Sequence, residues 1–354
     1  MKKGNKGEWS EFYVLLKLIG DGKLFLADKD LNRNDKYYYV ILKVFRDEEQ
    51  GRITYDITKQ SNAILVSNNK HQMVIKIKQA EIIKAIPSAF REIKNNTNTT
   101  FSTNHLNLLL KKLHCQQIQA GSGKKIDISA QVNDRNVIVQ PPELGFSIKS
   151  MLSAPATLLN ASRSTNFIYL IEGLSGKQIR NINAIHTKSK VKDRLKKVLA
   201  QDGKIIFEKT ESLIFDKNLK KIDSQFTEIM ASILLDFFLG KGGSLVSLIR
   251  INQQKFPNIE VSYLIKKFLG AIALGMFPNK DWSGINNVNG GYILVKDNGD
   301  IVCFHLFNES IFRDYLILNV KLDTPSTSRH KFGSVIVENN QVKIRLNLQI
   351  RFIK

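Results

Sequence analysis

Apolar residues recur at helical spacing near the start of the chain. Trp9, Phe12, Tyr13, Leu15, Leu16 and Ile19 form a stripe over residues 7 to 19, which Asp21-Gly22 ends. Glu8 and Glu11 stand three apart and so are neighbours on the surface of that helix. From residue 23 to 79 the pattern shifts to short alternating pieces, such as Tyr37 to Val44 and Met73 to Ile77, separated by Asp, Asn and Gly. This predicts a β-rich lobe. Glu81 to Phe90 continues as a helix kinked at Pro87, and the polar run Asn95 to Thr100 predicts a linker and a boundary near residue 100.

A further helix is predicted over Thr103 to His114. In Ile126 to Val132, Asp127, Ser129 and Gln131 share one face while Ile128, Ala130 and Val132 share the other, the mark of a half-buried strand. After a turn-rich segment, Gly145 to Ser150 repeats the pattern with Phe146 and Ile148 inward and Ser147 and Lys149 outward. Phe167 to Ile171 is continuously apolar and predicts a central strand of the same core. Helices follow over Val191 to Leu199, Asp223 to Phe238 and Val261 to Gly270, and strands over Tyr292 to Val295, Ile301 to Leu306, Val335 to Glu338 and Val342 to Phe352. The expected fold is α/β (α+β), a mixed sheet flanked by helices. Its core comprises residues 1–20 and 103–190, with an inserted β-rich lobe over 21–102 and a helical, then β-rich region over 191–354.

Charge narrows the function. Lys and Arg number 53 against 32 Asp and Glu, a net +21 spread along 354 residues. A polyanion-binding protein gains attraction and counterion release from this excess, so nucleic acid is the leading partner. Cys115 and Cys303 are too few for a disulfide framework, which fits a reducing cytoplasm, and no histidine spacing indicates zinc. The best apolar run, Met230 to Leu239, contains Asp236 and is too short for a membrane span. Gly121 to Lys125 resembles a truncated phosphate loop, but Ile118 replaces the required glycine and a strand follows.

An acid on one strand and a lysine on the next is the pairing that metal-dependent phosphodiester hydrolysis uses: an anionic ligand for a hard cation, and a cation at the scissile phosphate. Asp127 and Lys149 are that pair, with Ser147 where such triplets usually carry a carboxylate. Glu8 and Glu11 are the best donors of the missing charge, ahead of Glu143 and Glu172, while Asp134 belongs to the turn. Two hydroxyl- and amide-rich segments could meet DNA. One, Thr157 to Asn166, includes Asn160 and Arg163. The other, Thr324 to Gly333, offers Arg329 for a guanine edge and Ser326, Ser328 and Lys331 for phosphates, with His330 a further DNA-binding candidate. A non-catalytic DNA-binding or regulatory protein with a degenerate site is the competing reading, kept open by Ser147.

Nearly end to end, the chain resembles the HpaII family of type II restriction endonucleases. The marks are Lys3 to Glu11 at the start, Gly145 to Ser150 with Thr157 to Ala161 in the middle, and Thr324 to His330 with Leu346 to Phe352 at the end. The resemblance implies Mg²⁺-dependent cleavage of double-stranded DNA at the palindrome CCGG. It also implies a core of the PD-(D/E)xK type onto which Asp127 and Lys149 map, and a palindromic target suggests a homodimer. Ser147 departs from that pattern, and Ile126 stands in place of the proline.

Overall fold

The computed structural model of the chain describes residues 1–28, 30–49, 51–58, 62–70, 73–119, 126–133, 141–152, 155–286, 288–305 and 309–353. Its contacts group into two compact units, Met1–Ala156 with Asn286–Phe312, and Thr157–Ile285 with Arg313–Ile353.

The first unit begins with α1 (Lys6–Asp21), then β1 (Lys23–Ala27), β2 (Arg33–Glu48), β3 (Gly51–Asp56), β4 (Ala63–Asn68), β5 (Met73–Lys78), α2 (Gln79–Asn95), α3 (Asn104–Lys112), β6 (Ile128–Asn133) and β7 (Glu143–Ser150). In the second unit follow β8 (Thr157–Leu159), β9 (Asn166–Glu172), α4 (Gly176–Asn183), α5 (Lys190–Leu199), β10 (Lys204–Thr210), α6 (Leu213–Lys220), α7 (Phe226–Leu239), α8 (Leu245–Lys255) and α9 (Val261–Leu274). The chain then adds β11 (Gly291–Val295) and β12 (Ile301–His305) to the first unit. It ends with α10 (Glu309–Asn319), β13 (Val320–Leu322), α11 (Thr327–His330), β14 (Val335–Glu338), β15 (Gln341–Asn347) and β16 (Ile350–Phe352).

Among the described residues, nine strands of the first unit form one sheet in the order β1-β12-β11-β7-β6-β2-β3-β4-β5, and β1 also pairs with β2. The pairing therefore returns on itself. The 16-residue β2 makes this possible, since its first half runs beside β1 and its second half beside β6 and β3. α1 supplies Trp9, Phe12 and Leu16 to a core that also takes Tyr55 and Val66 from the sheet and Ile82 and Ile86 from α2. Each such side chain contributes roughly 1.5–3 kcal/mol by leaving water. A Cβ at Gly20 would stand 2.8 Å from Ile86 Cδ1, so α1 and α2 lie in close contact there and any side chain at position 20 would displace that methyl.

Several expectations need correction. The continuous run Asn166–Glu172 is a buried strand, but it belongs to the second unit, in the four-stranded sheet β10-β9-β15-β14. The neighbour of β7 is instead β11, which pairs with it in parallel, Ser147 facing Tyr292 and Lys149 facing Leu294. Both runs are uniformly apolar, so periodicity alone does not distinguish them. The stretch 21–102 is not a separate lobe, because β2 pairs directly with β6 and α2 packs in the shared core. Nor is residue 100 a boundary. Phe101 is buried, and its backbone exchanges hydrogen bonds with Gly4 at 3.0 and 2.9 Å. Val342 to Phe352 divides into β15 and β16, which lie in different sheets.

Candidate active site

Asp127 immediately precedes β6, whose register against β7 pairs Ile128 with Phe146. The Asp127 N–H donates to the Phe146 carbonyl at 2.9 Å. Its carboxylate Oδ2 accepts from the Ile148 N–H at 2.6 Å and from Ser147 Oγ at 3.2 Å. These bonds place the carboxylate on the Ser147 side of the hairpin. Lys149 lies two residues further along β7 and so projects with Ser147. Ser147 is itself buried, which fits a hydroxyl committed to orienting a neighbour. Gly145 makes room for the Ile126 side chain, whose Cδ1 would stand 2.8 Å from a Cβ there.

The second acid comes from α1. Asn5 caps that helix, its Oδ1 accepting from the Glu8 N–H at 3.0 Å while Glu8 Oε2 accepts from the Asn5 N–H at 2.7 Å. This reciprocal box satisfies two otherwise orphaned donors. Further along, Ser10 Oγ lies 2.7 Å from Ser150 Oγ at the end of β7. Glu11 is thereby carried to the β6–β7 hairpin, with Asp127 and Lys149 among its electrostatic neighbours. Burial, and next the Asp127 charge, push the Glu11 carboxyl up to about 8, opposed by a hydrogen bond from Gln119 and by the cations Lys149 and Arg46. Glu11, Asp127 and Lys149 thus make up one candidate site, whereas Glu8 serves the helix cap and lines a cleft of about 220 Å³ with Lys2, Lys3 and Gln119.

The donors gathered here are oxygens, the atoms a hard divalent cation takes, and two carboxylates match the protein's usual share of an Mg²⁺ shell. An acid whose proton affinity is raised by burial and by a neighbouring carboxylate is the electrostatic problem such a cation relieves. Among the described residues, no group of three His, Cys, Asp or Glu converges as a metal cluster. Glu143 is engaged by the Arg52 guanidinium, and Glu172 lies in the second unit. Asp134 and the Gly121 to Lys125 segment fall outside the described residues. Three participants carried no signal in the sequence: Gln119, which donates to Glu11 Oε1 at 3.1 Å, Arg46, and the Ile148 amide.

In the second unit, the two segments expected to meet DNA are joined by a buried amide network. Asn347 Nδ2 donates to the Ser162 carbonyl at 2.7 Å and to Asn166 Oδ1 at 2.6 Å. Asn166 Nδ2 donates in turn to Glu211 Oε2 at 2.7 Å and to the His330 carbonyl at 3.3 Å. Asn160 and Arg163 are exposed beside this network, Arg163 lying 3.4 Å from Glu211. On the other segment Ser326 caps the short α11, its Oγ accepting from the Arg329 N–H at 3.4 Å and lying 3.2 Å from Ser328 Oγ. Ser326, Ser328, Arg329 and Lys331 are exposed and His330 is half-buried. The network fixes both backbones and leaves these polar ends in solvent. No described helix is long and apolar enough to cross a membrane.

Comparison with known proteins identifies the family. The HpaII restriction endonuclease family model matches residues 5–352. The chain is also 39% identical to the type II restriction enzyme HpaII of Haemophilus parainfluenzae, over 360 positions covering 99% of this chain and 98% of that one. No solved structure matches. The protein is a site-specific deoxyribonuclease of the restriction class. More narrowly, the chain belongs to the HpaII restriction endonuclease family.

Proposed function

We propose that this endonuclease cuts both strands of DNA at CCGG in an Mg²⁺-dependent reaction that leaves 5′-phosphates, from a core of the PD-(D/E)xK kind. The observation that carries the proposal is the meeting of Glu11, Asp127 and Lys149 at one hairpin. Asp127 and Glu11 would hold the cation, and Glu11 rather than Glu8 supplies the charge that Ser147 lacks. When bound, the cation supplies Lewis acidity at the scissile phosphate. Ser147 Oγ and the Ile148 amide fix the Asp127 carboxylate so that it is set before substrate arrives. Lys149 donates from Nζ to the attacking water and the phosphate, orienting the water for in-line attack. The leaving group is then the 3′ oxygen, and the phosphate stays on the 5′ end.

Asn160, Arg163, Ser326, Ser328, Arg329, His330 and Lys331 form the proposed DNA-contacting set. Arg329 has the fork geometry that reads guanine, and the hydroxyls and Lys331 suit phosphates. A self-complementary target matches a twofold homodimer on DNA. Plasmid DNA incubated with the protein, with and without Mg²⁺, tests the reading. Discrete fragments whose ends map to CCGG are expected only with Mg²⁺, and Asp127→Ala, Glu11→Ala and Lys149→Ala should each abolish cutting while retaining DNA binding. Wild-type cleavage by any of the three would remove that residue from the site, and fragments ending at another sequence would refute the specificity.

A further inference from the structure

The Glu11 carboxylate meets Gln119, whose Nε2 donates to Oε1 at 3.1 Å. Gln119 is exposed and follows a segment held from below by an unusual anchor. Arg46, near the end of β2, is buried, and its Nη2 donates to the carbonyls of Gln117 at 2.6 Å and Ile118 at 2.8 Å. The Nε of the same guanidinium donates to Glu48 Oε1 at 2.6 Å, and both side chains of that pair are almost wholly buried. Tyr55 and Cys115 close the surroundings, the Tyr55 hydroxyl donating to the Leu113 carbonyl at 2.8 Å and lying 3.2 Å from Cys115 Sγ.

A buried arginine is costly unless each of its donors is met. Here one terminal nitrogen, Nη2, meets two successive backbone carbonyls of the loop that presents Gln119, while Nε meets Glu48. A lysine has three donors but on one nitrogen, so it cannot serve the two carbonyls and the Glu48 carboxylate from the two separate positions that Nη2 and Nε occupy. The guanidinium also stands among the cations that lower the Glu11 proton affinity, which places it close to the acid it supports.

We infer that Gln119 is a positioning residue for Glu11, holding one carboxylate oxygen so that the other faces Asp127, and that Arg46 fixes Gln119 by clamping the Gln117 and Ile118 carbonyls. The inference rests on the assignment of Glu11 to the metal-binding pair. Partners that orient ligands typically govern metal affinity by 10- to 100-fold. Because Gln119 is exposed, Gln119→Ala leaves the fold intact. The expected result is an increase of about tenfold in the Mg²⁺ concentration for half-maximal cleavage, with the rate at saturating Mg²⁺ within about threefold of wild type. Mn²⁺ binding to the DNA-free protein, followed by electron paramagnetic resonance, should weaken by the same factor. Arg46→Lys should move both readouts in the same direction, with circular dichroism confirming that it is folded.

Unchanged Mg²⁺ half-saturation and Mn²⁺ affinity in Gln119→Ala would overturn the inference, whatever Arg46→Lys does. Glu11→Ala in parallel separates the two levels. If it is inactive while Gln119→Ala behaves as wild type, only the positioning role falls, and if it cuts normally, the Glu11 assignment falls and takes this inference with it.

Discussion

Glu11→Gln should make the metal-free protein more stable while destroying its activity. In the folded chain the Glu11 carboxyl is pushed from an ordinary 4.5 up to about 8, chiefly by burial and then by the Asp127 charge. Below pH 4.5 the group is protonated both folded and unfolded, so the substitution is neutral there. Between 4.5 and 8 the unfolded chain releases a proton that the folded one keeps, so wild-type stability declines as pH rises through this window, and above 8 the penalty is constant. The span from 4.5 to 8 is 3.5 decades of proton affinity, which at 1.36 kcal/mol each sets a ceiling of about 5 kcal/mol. Glu11 is only partly shielded from solvent, and about half of that ceiling is the working figure. Glutamine preserves the shape and can still meet Gln119. Thermal unfolding in a chelator should therefore give Glu11→Gln a midpoint about 5 °C above wild type at pH 8.5, with the two proteins coinciding near pH 4.5. Adding Mg²⁺ should raise the wild-type midpoint and leave the variant's unmoved. A variant no more stable than wild type at pH 8.5, or one whose advantage does not change with pH, would refute the reasoning.

Other perturbations have equally definite outcomes. Arg329→Ala should reduce discrimination between CCGG and single-base variants by about 1–3 kcal/mol in competitive cleavage, the cost of a lost bidentate guanine contact; a uniform loss on every sequence would instead mark a phosphate clamp. Asn166→Leu leaves Asn347, Glu211 and the His330 carbonyl without their buried partner. It should cost about 2–4 kcal/mol in urea unfolding and relax target discrimination, and an unchanged midpoint would deny the network its role. His305 is buried against Tyr39, with ring centroids 4.8 Å apart, and burial pushes its imidazole down to about 4. The unfolded chain takes up a proton below about 6.5 that the folded chain refuses until about 4, so stability is full above 6.5 and falls by up to about 3 kcal/mol toward pH 4. His305→Leu should flatten that slope in acid titrations, and an unaltered slope would exclude this residue as its source.

How far the sequence carried depended on whether a feature was local. The stripe from Trp9 to Ile19 and the alternation around Asp127 and Lys149 are properties of neighbouring residues, and both became the helix and strands they predict, although Ser147, expected outward, is buried because β7 is an interior strand of the sheet. The choice between Glu8 and Glu11 was less accessible, since the two share a helical surface. A signal for Glu8 did exist: asparagine at position 5 with glutamate three residues later is the pattern of a capping box. β11 could not be told from β9 as the neighbour of β7, because strands buried on both faces look alike in sequence. Gln119 and Arg46 gained their roles only through the folding of β2 beneath the loop at 117–119, and no spacing encodes that.

The parallel pairing of β7 with β11 also bears on how the enzyme is made. Ser147 and Tyr292 face each other across 292 minus 147, or 145, positions of chain. At ordinary synthesis speeds the ribosome needs on the order of 10 s to cover that interval, during which Asp127, Ser147 and Lys149 have emerged but their strand lacks its second neighbour. A polypeptide stopped between residues 150 and 291 carries Glu11, Asp127 and Lys149 together with a β7 strand whose second edge is still open. Completion of that sheet therefore waits for the last quarter of the chain, and until then the edge of β7 is exposed to pairing with other strands.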